Sequence, residues 1–140
     1  MSSFFSSSPL KSNATAIGVI RIITGALVTY HGLELFDQSI IDKYLSWEKI
    51  QNLPAPVLMV YLGKIMELFA GIGLLFGFFT RAASLSLTAV MLFICFYVGK
   101  GKFYYDDQHP FLFALLGMLF YYTGPCKWSI DKLIFKPKNA

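Results

Sequence analysis

The chain of 140 residues is 56% hydrophobic and only 14% charged, with fourteen phenylalanines and eight tyrosines. Soluble domains carry roughly 25% charged residues, so this chain has too few charges to cover a water-facing surface. It reads as an integral membrane protein with no room for a second, soluble domain. A net charge of +4 is ordinary for a membrane protein with a positive cytoplasmic side and points away from nucleic acid.

Residues 1–13, "MSSFFSSSPLKSN", are Ser-rich with a single Lys11. They lack a charged start followed by a cleavable apolar core, and are expected to form a flexible tail, not a removed signal peptide. Ala14 to Phe36 is the first apolar stretch. It is long enough for a hydrocarbon core of about 30 Å, which takes ~20 helical residues. "DQSIIDKYLSWEKIQNLPAP" follows, with Ile40, Ile41, Tyr44, Trp47 and Ile50 interleaved among charges. That pattern predicts one short helix lying at the outer interface, with the aromatic rings at headgroup level. The prolines of "NLPAP" end it and open the second span, Pro56 to Phe79.

"TR" at 80–81 makes a tight inner turn, and Ala82 to Gly99 is a third span. "GKGKFYYDDQHP" is an outer loop. The fourth stretch, His109 to Thr123, is short, so it either starts nearer Tyr104 or sits against a thinned bilayer. "TGPCKW" terminates it, and 135–140 is a basic tail. The expected fold is therefore all-α: a four-helix up-and-down transmembrane bundle over 14–134 with an interfacial helix between spans one and two.

Lys and Arg outside the spans set the orientation. With both termini on one side, that side holds six (Lys11, Arg81, Lys127, Lys132, Lys136, Lys138) against four opposite (Lys43, Lys49, Lys100, Lys102). Both termini are expected in the cytoplasm, with the tail near anionic headgroups. Cys95 and Cys126 differ in depth by roughly 20 Å, too far for a disulfide, which needs Cα atoms within about 7 Å.

At 100° per residue each span shows a polar or small face. Span one aligns Gly18, Arg21, Gly25 and Gly32, flanked by Thr24 and His31. Span two aligns Val60, Gly63, Lys64, Glu67, Gly71 and Leu74. Span three aligns Ser84, Thr88, Met91 and Cys95. Intramembrane charge is expected to face the protein interior, where small residues let backbones approach. Gly73-x-x-x-Gly77 reads first as a packing motif, with pairing of two copies as the alternative.

Counted from the cytoplasmic ends at ~1.5 Å per residue, Arg21 lies about 10 Å deep, Glu67 about 18 Å, Lys64 about 22 Å and His31 about 25 Å. An Arg21–Glu67 ion pair accounts for the glutamate, since unpaired charge at mid-bilayer costs at least ~3 kcal/mol. Lys64 then snorkels outward or approaches Glu34. Cys95 and His109, at about 20 and 21 Å, come near the level of Glu67 and His31 and join Lys64 as ligand-binding candidates. Two histidines can hold a haem, and histidine, cysteine and carboxylate can hold a metal. No ExxH or HxxxH spacing supports either, so no metal site is expected.

"RIITGALVTYHGLELF", "NLPAPVLMVYLGKIMELFAGIGLLFGFFTRAASL" and "GPCKWSIDKLI" together resemble the DoxX family of small bacterial membrane proteins. The resemblance runs from Arg21 to about Ile134 and rests on Arg21, His31-Gly32, "LPAP", Glu67 with its following glycines, "TR" and "GP…S-x-D". It implies a four-helix bundle in the bacterial cytoplasmic membrane. Its functional implication is an oxidoreductase or quinone-linked subunit, and some relatives accompany soluble redox enzymes or help other proteins mature. The motif residues carried over are Arg21, His31, Glu67 and Arg81. Glu34, Asp37 and Cys126 depart from the family pattern.

Two functions follow. In the first, Arg21, His31 and Glu67 form the catalytic group of a redox-associated subunit: Glu67 or His31 handles protons, and Arg21 holds an anion or tunes Glu67. The chain carries no flavin, nicotinamide or iron–sulfur signature, so electrons need a quinone, another bound cofactor or a partner. In the second, a non-catalytic assembly factor presents glycine-rich helix faces to a client. A transporter is disfavoured, because four helices supply little alternating-access machinery unless copies assemble.

Overall fold

Residues 14–135 are described by a computed structural model, and every regular element among them is a helix. They are α1 (Ala14–Gly32) with a 3-10 turn Leu33–Phe36, α2 (Gln38–Leu45), α3 (Glu48–Gln51), α4 (Pro56–Phe76), α5 (Thr80–Phe93) continuing as a π-helical turn Ile94–Val98, α6 (Gln108–Thr123) and α7 (Ile130–Ile134). The expected tails, 1–13 and 135–140, lie outside the described residues apart from Phe135. Three segments are long and apolar enough to cross a membrane: Ala14–Phe36, Pro56–Phe76 and Thr80–Val98. The fourth apolar helix begins at Gln108, not near Tyr104, and has 16 residues. Residues Lys102–Asp107 hold it back, because Asp107 accepts from Lys100 N (2.8 Å) and Lys102 N (3.0 Å) and folds that stretch into a turn.

Glycines decide how α1 meets α4. A Cβ on Gly25 would collide with the backbone of Leu75, one on Gly71 with that of Thr29, and one on Gly32 would lie 2.6 Å from Leu68 Cα. The helices are antiparallel and in backbone contact, with Gly25 opposite Leu75, Thr29 opposite Gly71 and Gly32 opposite Leu68. The next interfaces follow the same logic. Gly73 admits Ala83 of α5, and Gly117 of α6 admits Thr88. Leu74, Ala83, Leu87, Ala114 and Phe120 fill the core, while Ile23, Leu58, Ile65 and Leu115 point outward. That inside-out apolarity is what a lipid-facing surface needs. Gly73-x-x-x-Gly77 packs within the chain, since Gly77 faces Ser129.

The α4–α5 turn lies at residues 77–79, just before the "TR" pair expected to form it, because Thr80 and Arg81 already belong to α5. Gly77 takes the left-handed conformation (φ 66°) that caps α4, and Phe79 follows it there at φ 46°. A non-glycine residue in that region costs on the order of 1–2 kcal/mol. Asp131, from α7, offsets it by accepting from Phe79 N (2.8 Å) and Thr80 N (2.7 Å). The carboxylate thus caps the start of α5, where the helix dipole favours negative charge.

In the connection from α1 to α4, the single helix expected from sequence is two short ones broken at Ser46–Trp47. Asp37 caps α2 by accepting from Ser39 N at 3.0 Å. Ile41 and Ile50 turn inward onto Val60 of α4, so this segment forms a lid on the end of the bundle away from the termini.

Candidate functional site

Under that lid lies a cavity of about 240 Å³, walled by α4, α5, the π-helical turn and the lid itself. Residues Val60, Gly63, Lys64 and Glu67 recur at helical spacing along the α4 wall, as one face of a helix must. Val90, Met91 and Ile94 form the apolar opposite wall, and Tyr44 and Trp47 enclose the cavity from the lid with rings 5.0 Å apart, edge to face. A small apolar enclosure with a few convergent polar groups is the usual form of a ligand site.

Lys64 organises the polar end. Its Nζ donates to Glu34 Oε2 (2.7 Å), to Glu67 Oε2 (2.9 Å) and, at 3.4 Å, to His31 O. The Tyr44 hydroxyl donates to Glu34 Oε2 at 2.7 Å, and the ammonium also lies 4.8 Å from the centre of the Tyr44 ring, in cation–π range. Burial, and after it the hydrogen bond to Glu34, pushes the Tyr44 phenol above its ordinary value. His31 Nδ1 stands 3.6 Å from Glu34 Oε1, and the His31 and His109 rings meet edge to face at 6.1 Å. Hydrogen bonds thus join Tyr44, Glu34, Lys64 and the buried Glu67, with His31 and the exposed His109 alongside but not hydrogen-bonded to them. The fully ionised triad of Glu34, Lys64 and Glu67 carries a net charge of −1, and one proton makes it neutral. Glu67 Oε1 has no partner among the described residues.

The expected Arg21–Glu67 ion pair does not form. With Gly25 opposite Leu75 and Gly32 opposite Leu68, Arg21 stands beside the α4–α5 turn and Glu67 beside Leu33, roughly 18 Å away along the helices. Depths counted from guessed span ends concealed that offset. Arg21, fully buried, donates instead to three carbonyls, Leu74 O, Trp128 O (3.1 Å) and Lys127 O (3.4 Å). With Asp131, which also donates its backbone N–H to Gly77 O at 2.9 Å, it clasps the segment after α6 across the ends of α1 and α4. Arg21 is a fastening residue at the terminal end and takes no part in the cavity. Arg81 is exposed at that same end.

Cys95 also falls outside the site. It is buried, and its thiol points at Asp107 O, 3.8 Å away, behind the cavity wall. No group of three or more metal-ligating side chains occurs among the described residues. Of the six candidates, Glu67, His31, Lys64 and His109 come together; Arg21 and Cys95 do not. Sequence reasoning did not place Tyr44 in the site and held Glu34 only as an alternative partner for Lys64. The available signal for Glu34 was its spacing from His31, since residues three apart share a helix face.

No curated protein and no solved structure matches the chain. The DoxX family model matches residues 16–100. That stretch takes in α1, the lid, α4 and α5, with His31, Lys64 and Glu67 inside it, and stops before α6 and His109. The match covers more than half of the sequence, and the chain belongs to the DoxX family.

Proposed function

We propose that this protein is a quinone-linked redox subunit of the bacterial cytoplasmic membrane, with all four long helices crossing the bilayer and both termini in the cytoplasm. The observation that carries the reading is an apolar cavity that ends on a buried lysine shared by two carboxylates. Its volume, below the 300–1,000 Å³ of drug-sized ligand sites, suits one ring headgroup whose isoprenoid tail stays among the lipids. The lid would then sit at the outer interface, with Trp47 at headgroup level.

A bound quinone supplies a two-electron, two-proton couple. The electrons are exchanged with a partner redox protein, and this chain binds the ring and moves the protons. Apolar walls exclude water, Lys64 holds Glu67 in place, and Glu67 would hydrogen-bond one ring oxygen and serve as its proton donor or acceptor, the other oxygen exchanging its proton with water or lipid headgroups. His31, 3.6 Å from Glu34, and the exposed His109 beside it stand where protons would enter or leave this end of the cavity.

The test is a titration of the protein in nanodiscs with a short-chain quinone, followed by quenching of Trp47. Saturable quenching is expected, weakened roughly tenfold by Glu67→Gln at unchanged membrane accumulation. Quenching that does not saturate contradicts the reading, as does saturable quenching indifferent to Glu67→Gln.

A further inference from the structure

The two ends of the bundle differ in charge. Of the eight acidic residues, seven lie on or under the lid or in the loop before α6, and only Asp131 belongs to the terminal end. The Asp131 carboxylate is taken up by Phe79 N and Thr80 N. Arg81, Lys127 and Lys132 are exposed at that end, and none of the ion pairs among the described residues includes them. A positive end by itself does no more than orient a membrane protein. Here two of the cations are also held in place.

Arg81 lies against the loop after α6. A Cβ on Gly124, where φ is 65°, would sit 3.6 Å from Arg81 Nε and 3.7 Å from Nη2, so the guanidinium rests on bare backbone. Three residues on, Lys127 Nζ stands 5.7 Å from the centre of the Trp128 ring, within cation–π range. Arg21 fixes the backbone carrying both residues by donating to Lys127 O and Trp128 O. The Trp128 ring leans on α1 at Gly18, where a Cβ would lie 3.8 Å from its Cε3. Trp128, Leu133, Ile134 and Phe135 are each more than half exposed. Fixed cations beside an aromatic ring and a row of apolar side chains match the layers of a bilayer surface, from phosphate through glycerol to acyl chain.

We infer that this end is a binding site for an anionic phospholipid. Arg81 and Lys127 hold the headgroup phosphate, Trp128 packs against the glycerol region, and Leu133, Ile134 and Phe135 enter the acyl layer. The planar guanidinium supplies paired N–H donors to the phosphate oxygens, and the Lys127 ammonium adds a point charge. The clasp made by Arg21 and Asp131 then does more than fasten, because it stations the lipid-binding segment across the bundle end. The inference goes beyond the quinone reading, which concerns the opposite end, and does not rest on it. Each basic residue at an anionic surface favours association by roughly fivefold, so two of them predict a preference on the order of tenfold for an anionic over a zwitterionic lipid.

The chain has two tryptophans, one at each end. Trp47→Phe leaves Trp128 as the reporter at the terminal end, and Trp128→Phe leaves Trp47 as the control at the other. Each variant is reconstituted in phosphatidylcholine bilayers doped with acyl-brominated phosphatidylglycerol or acyl-brominated phosphatidylcholine, and quenching gives the relative affinity for the two lipids. Trp128 should prefer the anionic lipid by roughly tenfold, and Trp47 by less than about twofold. Adding Arg81→Gln and Lys127→Gln to Trp47→Phe should bring the Trp128 preference below about twofold, with helical circular dichroism unchanged. Equal quenching of Trp128 by the two lipids overturns the inference and leaves the basic end to an acidic partner protein. A preference of the same size at Trp47, or one that survives the double substitution, also overturns it, since general surface charge then accounts for the effect.

Discussion

Replacing Lys64 by methionine removes the cation between Glu34 and Glu67 and keeps the length of the side chain. Its two ion contacts, at 2.7 and 2.9 Å, are each worth roughly 6 kcal/mol of gross attraction at an effective dielectric of ~20. Desolvation of the buried Lys64 and Glu67, and in part of the half-buried Glu34, offsets most of that in the native protein. In Lys64→Met the offset remains and the attraction does not. The two carboxylate oxygens, separated by no more than the two contacts laid end to end, then repel by roughly 3 kcal/mol. Breaking a buried pair in this way costs ~3–5 kcal/mol, a large fraction of a typical total stability of about 5–15 kcal/mol. The triple variant Glu34→Gln, Lys64→Met, Glu67→Gln removes the stranded charges with little change of shape, and should recover most of the loss. Reversible unfolding in mixed micelles, titrated with SDS and followed by helical circular dichroism, measures both. A single variant within about 1 kcal/mol of wild type, or a triple variant no more stable than the single, would refute the shared-lysine account.

Arg21→Lys substitutes a point charge for a planar fork that reaches carbonyls on two separate segments. It should cost about 1–3 kcal/mol and speed amide hydrogen exchange across Gly124–Asp131; unchanged protection there contradicts the clasp. Asp131→Asn gives up the charge at the start of α5 and should cost about 1–2 kcal/mol in the same SDS titration, with no cost if the cap is incidental. Tyr44 has a folded value raised above its unfolded one, so its neutral phenol contributes stability fully present below about pH 10 and lost as the pH climbs through the raised folded value. Tyr44→Phe should flatten that alkaline limb of the stability profile, and a limb of unchanged height contradicts the Tyr44–Glu34 bond.

Much of the fold could be read from the letters because membrane helices follow two strong rules. Apolar length marks the spans, and small or polar residues mark their inner faces. Arg21, Lys64, Glu67, Gly25, Gly32 and Gly71 all face inward as their spacing requires. Partner choice was harder to read. It depends on the vertical register of α1 against α4, which is set by backbone contacts at those same glycines and not by complementary charge. Placing Gly25 against Leu75 would have separated Arg21 from Glu67 and brought Lys64 toward Glu34. The clasp was hidden for another reason: Arg21 is satisfied by backbone carbonyls, which every residue carries, so no side chain advertises the partnership. The "S-x-D" motif did contain Asp131, but its role at the α4–α5 turn comes from chain reversal after α6. Cys95 shared the depth of Glu67 yet turns toward Asp107 where α5 passes into the π-helical turn, a local widening that a uniform 100° per residue does not anticipate.

The central claim is that a quinone ring lies between α4 and α5 against Lys64 and Glu67. Its most direct test is photo-crosslinking of the protein in nanodiscs with a ring-azido quinone, followed by peptide mapping. The account predicts near-stoichiometric labelling confined to the cavity walls, at Met59–Glu67 and Val90–Val98, competed away by unlabelled quinone and weakened in Glu67→Gln. Labelling spread over the outward faces of the helices, or insensitive to competitor, would contradict it.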